Sequence, residues 1–231
     1  MNWVVAFAKS SIGAKAVVAL TGAGLVGFVV FHMLGNLQLF AGPEQFNSYA
    51  HNLKSLGPLL WVARLGLLGM FVMHIGMATR LRGMNREARP VRYQGGKKRQ
   101  MSTLASNSMF LGGATLFLFV LFHLSHYTLG LVDPQYLTYK TAEGWHDAYK
   151  MTVIGFQYPV VVGIYIAAMA CLAMHLGHGV SSMFQTLGLN HPRYRPLITG
   201  AGPALAVLVF LGFTSIPIAV QLGIISLQGG A

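Results

Sequence analysis

LASNSMFLGGATLFLFVLFHLSHYTLG, residues 104–130, carries no charged side chain along its length, yet it contains two imidazoles, His123 and His126. A hydrocarbon core of ~30 Å takes about 20 apolar residues as a helix, and this run exceeds that. Four other runs do the same, so five spans are expected at 13–40, 56–79, 104–132, 153–184 and 198–226. Lipid offers no partner to an exposed peptide group, so each must be a helix. The composition agrees: 54% of the 231 residues are hydrophobic, 9% are charged, and five acids cannot solvate a soluble surface of this size. The fold class that follows is an all-α integral membrane protein, one membrane domain over 1–231. The first run is too long for the core of a cleaved signal and lacks a small-residue cleavage site, so it reads as a retained span. The single cysteine, Cys171, excludes an internal disulfide framework and reads as a small helix-packing residue.

The net charge of +11 does not point to nucleic acid, because the basic residues punctuate apolar segments and form no single face. They set an orientation instead. Lys9, Lys15, Arg80, Arg82, Arg86, Arg89, Arg92, Lys97, Lys98, Arg99, Arg193 and Arg195 fall on one side. The other side holds only Lys54, Lys140 and Lys150, with Arg64 just inside span two. The N-terminus is therefore expected in the cytoplasm and the C-terminus outside. Trp3, Trp61, Trp145, Tyr127, Tyr139 and Tyr149 fall near the span ends, as interfacial aromatics do. MNWVVAFAK, ahead of span one, reads as a short surface-lying segment.

Six of the nine histidines lie in the spans: His32, His74, His123, His126, His175 and His178. One intramembrane histidine is ordinarily a hydrogen-bonded packing residue. Four helices each supplying at least one is a pattern. At 1.5 Å per residue, His32 and His123 lie about 28 Å into spans that start inside, hence near the outer edge. His74 and His175 lie about 27 and 33 Å into spans that start outside, hence near the inner edge. Two pairs at two depths suit two bis-histidine haems stacked in a four-helix bundle, since imidazole is a strong iron ligand and bundle cores build sites from facing helices. Zinc wants three or four protein ligands at one place. Proton relays usually add carboxylates, and the spans contain none.

Gly35, Gly76, Gly177 and Gly179 stand close in sequence to these histidines, where a flat macrocycle needs low helix surfaces; ordinary small-residue packing explains any one of them equally well. GAGLVG at 22–27 matches a dinucleotide fingerprint. It lies inside a membrane span with no preceding strand, so helix or haem packing is the better reading.

The ordered words FHMLGNLQLF, FVMHIGMATRL, LFHLSHYTLG and MHLGHGVSSMFQTLG, on spans one to four, resemble the ligand-bearing stretches of a known family. It is the dihaem cytochrome b (b558-type) membrane anchor of succinate:quinone oxidoreductases, which comprise succinate dehydrogenase and fumarate reductase. The resemblance covers essentially the whole chain. It implies an outer haem b held by His32 and His123 and an inner haem b held by His74 and His175. The His-x-x-x-Gly spacing in HLGHG favours His175 over His178, which depth alone excludes only weakly. His126 and His178 stand as alternative ligands or as residues just behind them. The resemblance further implies a partner flavoprotein carrying FAD and an iron–sulfur subunit, both cytoplasmic. This chain would anchor them in the inner (cytoplasmic) membrane and pass electrons to a quinone, menaquinone or ubiquinone, in the lipid. The basic second connection would help dock the iron–sulfur subunit or simply enforce topology.

Haem propionates need cationic donors: Arg80 and Arg82 are candidates at the inner edge, Lys54 and Arg64 at the outer. Quinone-site candidates near the outer haem are Glu44, His51, Lys54 and His126; His146 and His191 read as loop residues. Some fumarate-reducing relatives place a carboxylate beside the inner ligand. Here Met169, Ala170, Leu172, Ala173 and Met174 precede His175 with no acid among them, which favours succinate oxidation. Flux direction matters because each charge moved across 100 mV is worth about 2.3 kcal/mol. The competing readings are fumarate reductase working in reverse, the cytochrome b anchor of a formate dehydrogenase or hydrogenase, and, from another class, a histidine-dependent transporter.

Overall fold

A computed structural model of the chain describes residues 2–88, 104–189 and 191–227. Arg89, Arg92, Lys97, Lys98 and Arg99, five of the eight basic residues in the second connection, lie outside those residues. Among the described residues eight α-helices run in chain order: α1 (Trp3–Lys9), α2 (Ser11–Leu37), α3 (Pro43–Ser55), α4 (Pro58–Glu87), α5 (Leu104–His123), α6 (Ala148–Phe156), α7 (Pro159–Thr186) and α8 (Arg195–Gln221). Five of them, α2, α4, α5, α7 and α8, are long and apolar enough to cross a membrane. The chain is an all-α, multi-pass membrane protein.

Several element boundaries differ from those read off the sequence, each for a local reason. The residues at 38–41 continue α2 as a tighter 3-10 turn ended by Gly42, whose φ of 95° suits only glycine. The connection between α2 and α4 is not a loop but α3, opened by Pro43 at its first turn and closed before Gly57. α4 runs eight residues beyond 79, because the arginine-rich tail RLRGMNRE stays helical past the apolar stretch. Span four begins at Pro159; the residues at 153–156 belong to α6, separated from α7 by a break at Gln157 and Tyr158 that the proline enforces. Span five starts at Arg195 and ends at Gln221, short of 226. Trp3–Lys9 forms a short helix, followed by Ser10, which caps α2 with its hydroxyl accepting from Gly13 N–H at 3.0 Å.

α2, α4, α5 and α7 stand as a four-helix bundle. α2 packs along α4 and α7, and α5 along α7. α4 and α5 meet through side chains: Phe71 stacks on Phe117 at 6.3 Å, and the Arg82 guanidinium lies 3.8 Å over Phe110. α2 and α5 therefore face each other across one diagonal, α4 and α7 across the other. α8 is no bystander. It makes the closest packing of all, against α7, and also touches α2. Gly202 of α8 lies directly against the Gly177 carbonyl of α7, and Ser181 Oγ donates to the Ile198 carbonyl at 3.1 Å.

The end of the bundle holding the N-terminus is called the N-face here, and the opposite end the C-face. The C-face carries a polar knot that ties α3 to α6. Asp147 caps α6 by accepting from Lys150 N–H and from Asn47 Nδ2, both at 2.9 Å, and the Tyr149 N–H donates to Asn47 Oδ1 at 3.0 Å. Gln221 Nε2 donates to the Phe156 carbonyl at 2.6 Å, which locks the end of α8 beneath α6. Buried Leu39, Phe46, Tyr149, Val153, Phe156 and Ile216 fill this end.

Candidate functional site

Four histidines converge in two pairs, each spanning a diagonal. Toward the C-face, the rings of His32 (α2) and His123 (α5) lie 5.9 Å apart, centre to centre, with planes at 79°. Toward the N-face, His74 (α4) and His175 (α7) lie 6.4 Å apart with planes at 60°. His126 has no ring contact with His32, and His178 has none with His74, among the described residues. In both pairs the imidazole rings reach across a diagonal of the bundle.

The separations discriminate between metal geometries. A ring nitrogen binds a first-row metal at about 2.0–2.1 Å, with the ring centre roughly 1.1 Å behind it. Two imidazoles on opposite sides of one metal therefore stand with centres about 6.3 Å apart, and two at a tetrahedral corner about 5.1 Å apart. Both observed pairs match the opposed arrangement. Among the described residues no three His, Cys, Asp or Glu side chains gather as a metal cluster, so neither pair is part of a larger donor set.

Hydrogen bonds to the second ring nitrogen decide which nitrogen faces inward. Thr21 Oγ1 donates its proton to the Val17 carbonyl at 2.7 Å, so it can only accept at its 3.2 Å contact with His74 Nδ1. His74 is thereby the Nδ1–H tautomer, with the Nε2 lone pair free. His123 Nδ1 contacts the Tyr165 hydroxyl at 3.0 Å. His175 Nδ1 is buried with no hydrogen-bond partner. At His32, Asn36 Nδ2 sits 3.3 Å from the ring Nε2 and 2.7 Å from the His32 carbonyl.

The glycines divide sharply. A Cβ on Gly22 would stand 3.3 Å from His74 Cε1, and one on Gly113 would stand 3.7 Å from His175 Cε1. Gly27, Gly69, Gly76, Gly112 and Gly179 have no atom within 4 Å of such a Cβ. Gly35 and Gly177 serve ordinary packing, the first against Tyr49 and the second against α8. In GAGLVG, Gly22 admits the His74 ring and Gly24 admits the Met70 sulfur, so the motif lets α2 and α4 approach. The donor set and the open glycine surfaces fit a bis-imidazole macrocycle.

Around the rims, Lys54 and Arg64 lie close enough to repel. Burial, then Arg64, holds the Lys54 amine below its usual pKa, and burial, then Lys54, depresses His146. The Arg64 guanidinium also lies 5.1 Å over Trp61. At the N-face end of α4, Arg82 is laid over Phe110, and Arg80 is half-buried and engaged by the protein. Glu44 is exposed in the first turn of α3. His51 stacks on Trp145 at 4.0 Å, apart from the histidine pairs.

His126 behaves differently from every other histidine. After His123 the helix widens into a π turn over Leu124–Thr128, marked by the Leu129 N–H donating to the Leu124 carbonyl at 2.8 Å. Such turns recur at functional sites. His126 sits in that turn, fully buried, with Nδ1 3.1 Å from the Tyr165 hydroxyl and Nε2 without a partner. It lines a pocket of about 310 Å³ together with Val132, Asp133, Tyr136, Tyr158, Val160 and Val161. Tyr136 there is pushed up to about 12, first by burial and next by the Asp133 carboxylate. A second, smaller pocket of about 120 Å³ flanks His175 between α5 and α7. Sequence reasoning missed Tyr165, Thr21 and Asn36, whose only signal was a polar group inside an apolar span.

No family model, curated protein or solved structure matches this chain.

Proposed function

We propose that the chain is the cytochrome b membrane anchor of a succinate dehydrogenase, which carries electrons from an iron–sulfur partner subunit across the membrane to a quinone. The observation that carries this reading is the pair of diagonal imidazole couples, 5.9 and 6.4 Å apart at two depths, each with the spacing of opposed ligands on one metal. His32 and His123 would hold one haem b, and His74 and His175 the other. Haem supplies one-electron redox chemistry when bound; this chain's residues hold it, set its surroundings and keep water away.

The two pairs are separated along the bundle, which suits transfer between faces and not chemistry at a single centre. The basic N-face segments, Arg80, Arg82 and Arg86 among them, support a cytoplasmic N-face with the flavoprotein and iron–sulfur subunits docked there. The same bias supports placement in the cell's inner membrane. Lys54 and Arg64 at the C-face, and Arg80 and Arg82 at the N-face, supply the cations that propionates require. The absence of a carboxylate in the turns before His175 favours succinate oxidation over fumarate reduction. A transporter reading is disfavoured by imidazoles that face each other in closed pairs and do not line a continuous path.

Affinity purification of the full chain from its native membrane tests the reading. A flavoprotein with FAD and an iron–sulfur subunit should co-purify, and the complex should reduce a soluble quinone with succinate. Co-purification of a molybdenum- or nickel-containing subunit in their place would overturn it in favour of a formate dehydrogenase or hydrogenase anchor.

A further inference from the structure

We infer that Arg64 and Lys54, with Trp61 beside them, hold the phosphate of an anionic phospholipid in the C-face leaflet, against the uncovered side of α4. The inference does not rest on the haem reading, and it gives Arg64 to lipid in preference to a propionate.

No residue of α4 is buried, and the helix packs chiefly along α2. His74 marks its inward side, where the ring meets His175. At about 100° per residue, Trp61, Leu65, Leu68 and Val72 lie roughly 120–180° round the helix from His74. Each of these four is more than half exposed, so this side of α4 meets lipid. Arg64 stands at the border of that face, about 80° from His74. Its guanidinium is turned outward, over the Trp61 ring and 5.1 Å from the ring centre. That places a permanent charge about 9 Å along the helix from Pro58, where the span begins. A cation on the lipid side of a span is costly unless its long stem carries it to the headgroups or an anion meets it there.

The second cation arrives from α3. Lys54 lies in the last turn of that helix, which returns into α4 through Leu56 and Gly57, the glycine at a φ of 51°. Burial, then the neighbouring Arg64 charge, depresses the Lys54 amine, so two like charges stand within reach of one another. Among the described residues no carboxylate pairs with either. Asp147, on the adjoining segment, is taken up by Asn47 Nδ2 and the Lys150 N–H. A phosphodiester supplies the missing charge, with one oxygen for the guanidinium fork and one for the ammonium. Its acyl chains have Leu65, Leu68 and Val72 to lie along, and Trp61 sits at headgroup level, where indoles collect. Exposed Leu53 and Leu56 extend the apolar surface beside Lys54. A free phosphate ion gains nothing from that surface, and a zwitterionic lipid brings an ammonium of its own to two cations. A net-anionic phospholipid suits both halves of the site.

The test places the full chain in nanodiscs of equal phosphatidylglycerol and phosphatidylcholine and releases it for native mass spectrometry, which counts the lipids each chain retains. Wild type should keep phosphatidylglycerol over phosphatidylcholine. Arg64→Gln and Lys54→Gln should each lower the phosphatidylglycerol count by one, a loss of about tenfold in affinity at this site, the worth of one charge-assisted hydrogen bond. Arg64→Lys should keep part of the affinity, since it retains the charge without the fork. Lys140→Gln, an exposed lysine outside the site, should leave the count unchanged. Should the charge variants fail to fold, lipids with brominated chains test the native site through fluorescence. Brominated phosphatidylglycerol should quench wild type more than brominated phosphatidylcholine does, and Trp61→Phe should abolish the difference. A phosphatidylglycerol count that holds in the Lys54→Gln, Arg64→Gln double variant would overturn the site, as would equal quenching by the two lipids. Displacement of the lipid by added inorganic phosphate would reveal an anion site with no use for acyl chains, and would overturn it too. A haem midpoint potential that shifts in Arg64→Gln while the lipid count holds would return Arg64 to a propionate and overturn the assignment.

Discussion

The two histidine pairs are built alike and surrounded differently. At the C-face, His123 is joined through Tyr165 to a second buried histidine and so to a pocket. At the N-face, His74 is held by the Thr21 hydroxyl and the Val18 backbone, and His175 Nδ1 has no hydrogen-bond partner among the described residues. Ligand spacing makes a metal site, but the second nitrogen of each ring decides what else the site can do. His175 of the N-face pair borders the smaller cavity, of about 120 Å³, and the C-face pair lies next to the larger one, of about 310 Å³, through His126.

The comparison breaks most severely when a ligand is removed. His123→Ala or His32→Ala should lower the pyridine haemochrome count from two haems per chain to one, with the remaining spectrum that of the N-face site. His74→Ala or His175→Ala should do the converse. If His126→Ala loses a haem and His123→Ala does not, the two residues have exchanged roles. Next in size is Gly22→Val. A bare Cβ already comes to 3.3 Å from His74 Cε1, so the branched side chain should displace that ring and leave the N-face site substoichiometric, while the C-face site fills normally.

Smaller changes sharpen the contrast. Tyr165→Phe should keep both haems and raise the C-face midpoint potential by about 20–60 mV, because His123 loses the acceptor that makes it a more electron-rich ligand and one hydrogen bond is worth about 1 kcal/mol. Thr21→Val should raise the N-face potential in the same sense but less, about 10–30 mV, since its 3.2 Å contact with His74 is longer. Spectroelectrochemical titration reads both, and the effects should not cross between sites. A Thr21→Val shift confined to the C-face haem would reverse the assignment of sites to helices.

The spans were legible because a membrane imposes one rule, about 20 apolar residues per helix, and the sequence obeys it five times. The histidine pairing was legible because depth along a helix is arithmetic. What could not be read was lateral. Nothing in a separation of 53 positions from Thr21 to His74, or of 42 from His123 to Tyr165, signals a hydrogen bond across the bundle. α3 was hidden because its helical signal is carried by Pro43 and a mixed polar face, which also describe a loop. The break before Pro159 was masked by the apolar character of α6, which joined without a seam to the span that follows. His51 and Glu44 looked like site residues only for being polar near an outer edge; the fold gives His51 to Trp145 and leaves Glu44 at the exposed start of α3.

The central claim is that each diagonal imidazole pair holds one haem. A pyridine haemochrome count on the purified full chain, taken with its dithionite-reduced minus oxidised spectrum, tests it most directly. Two b-type haems per chain, resolving into two midpoint potentials, is the predicted result; one haem, or none, would contradict it.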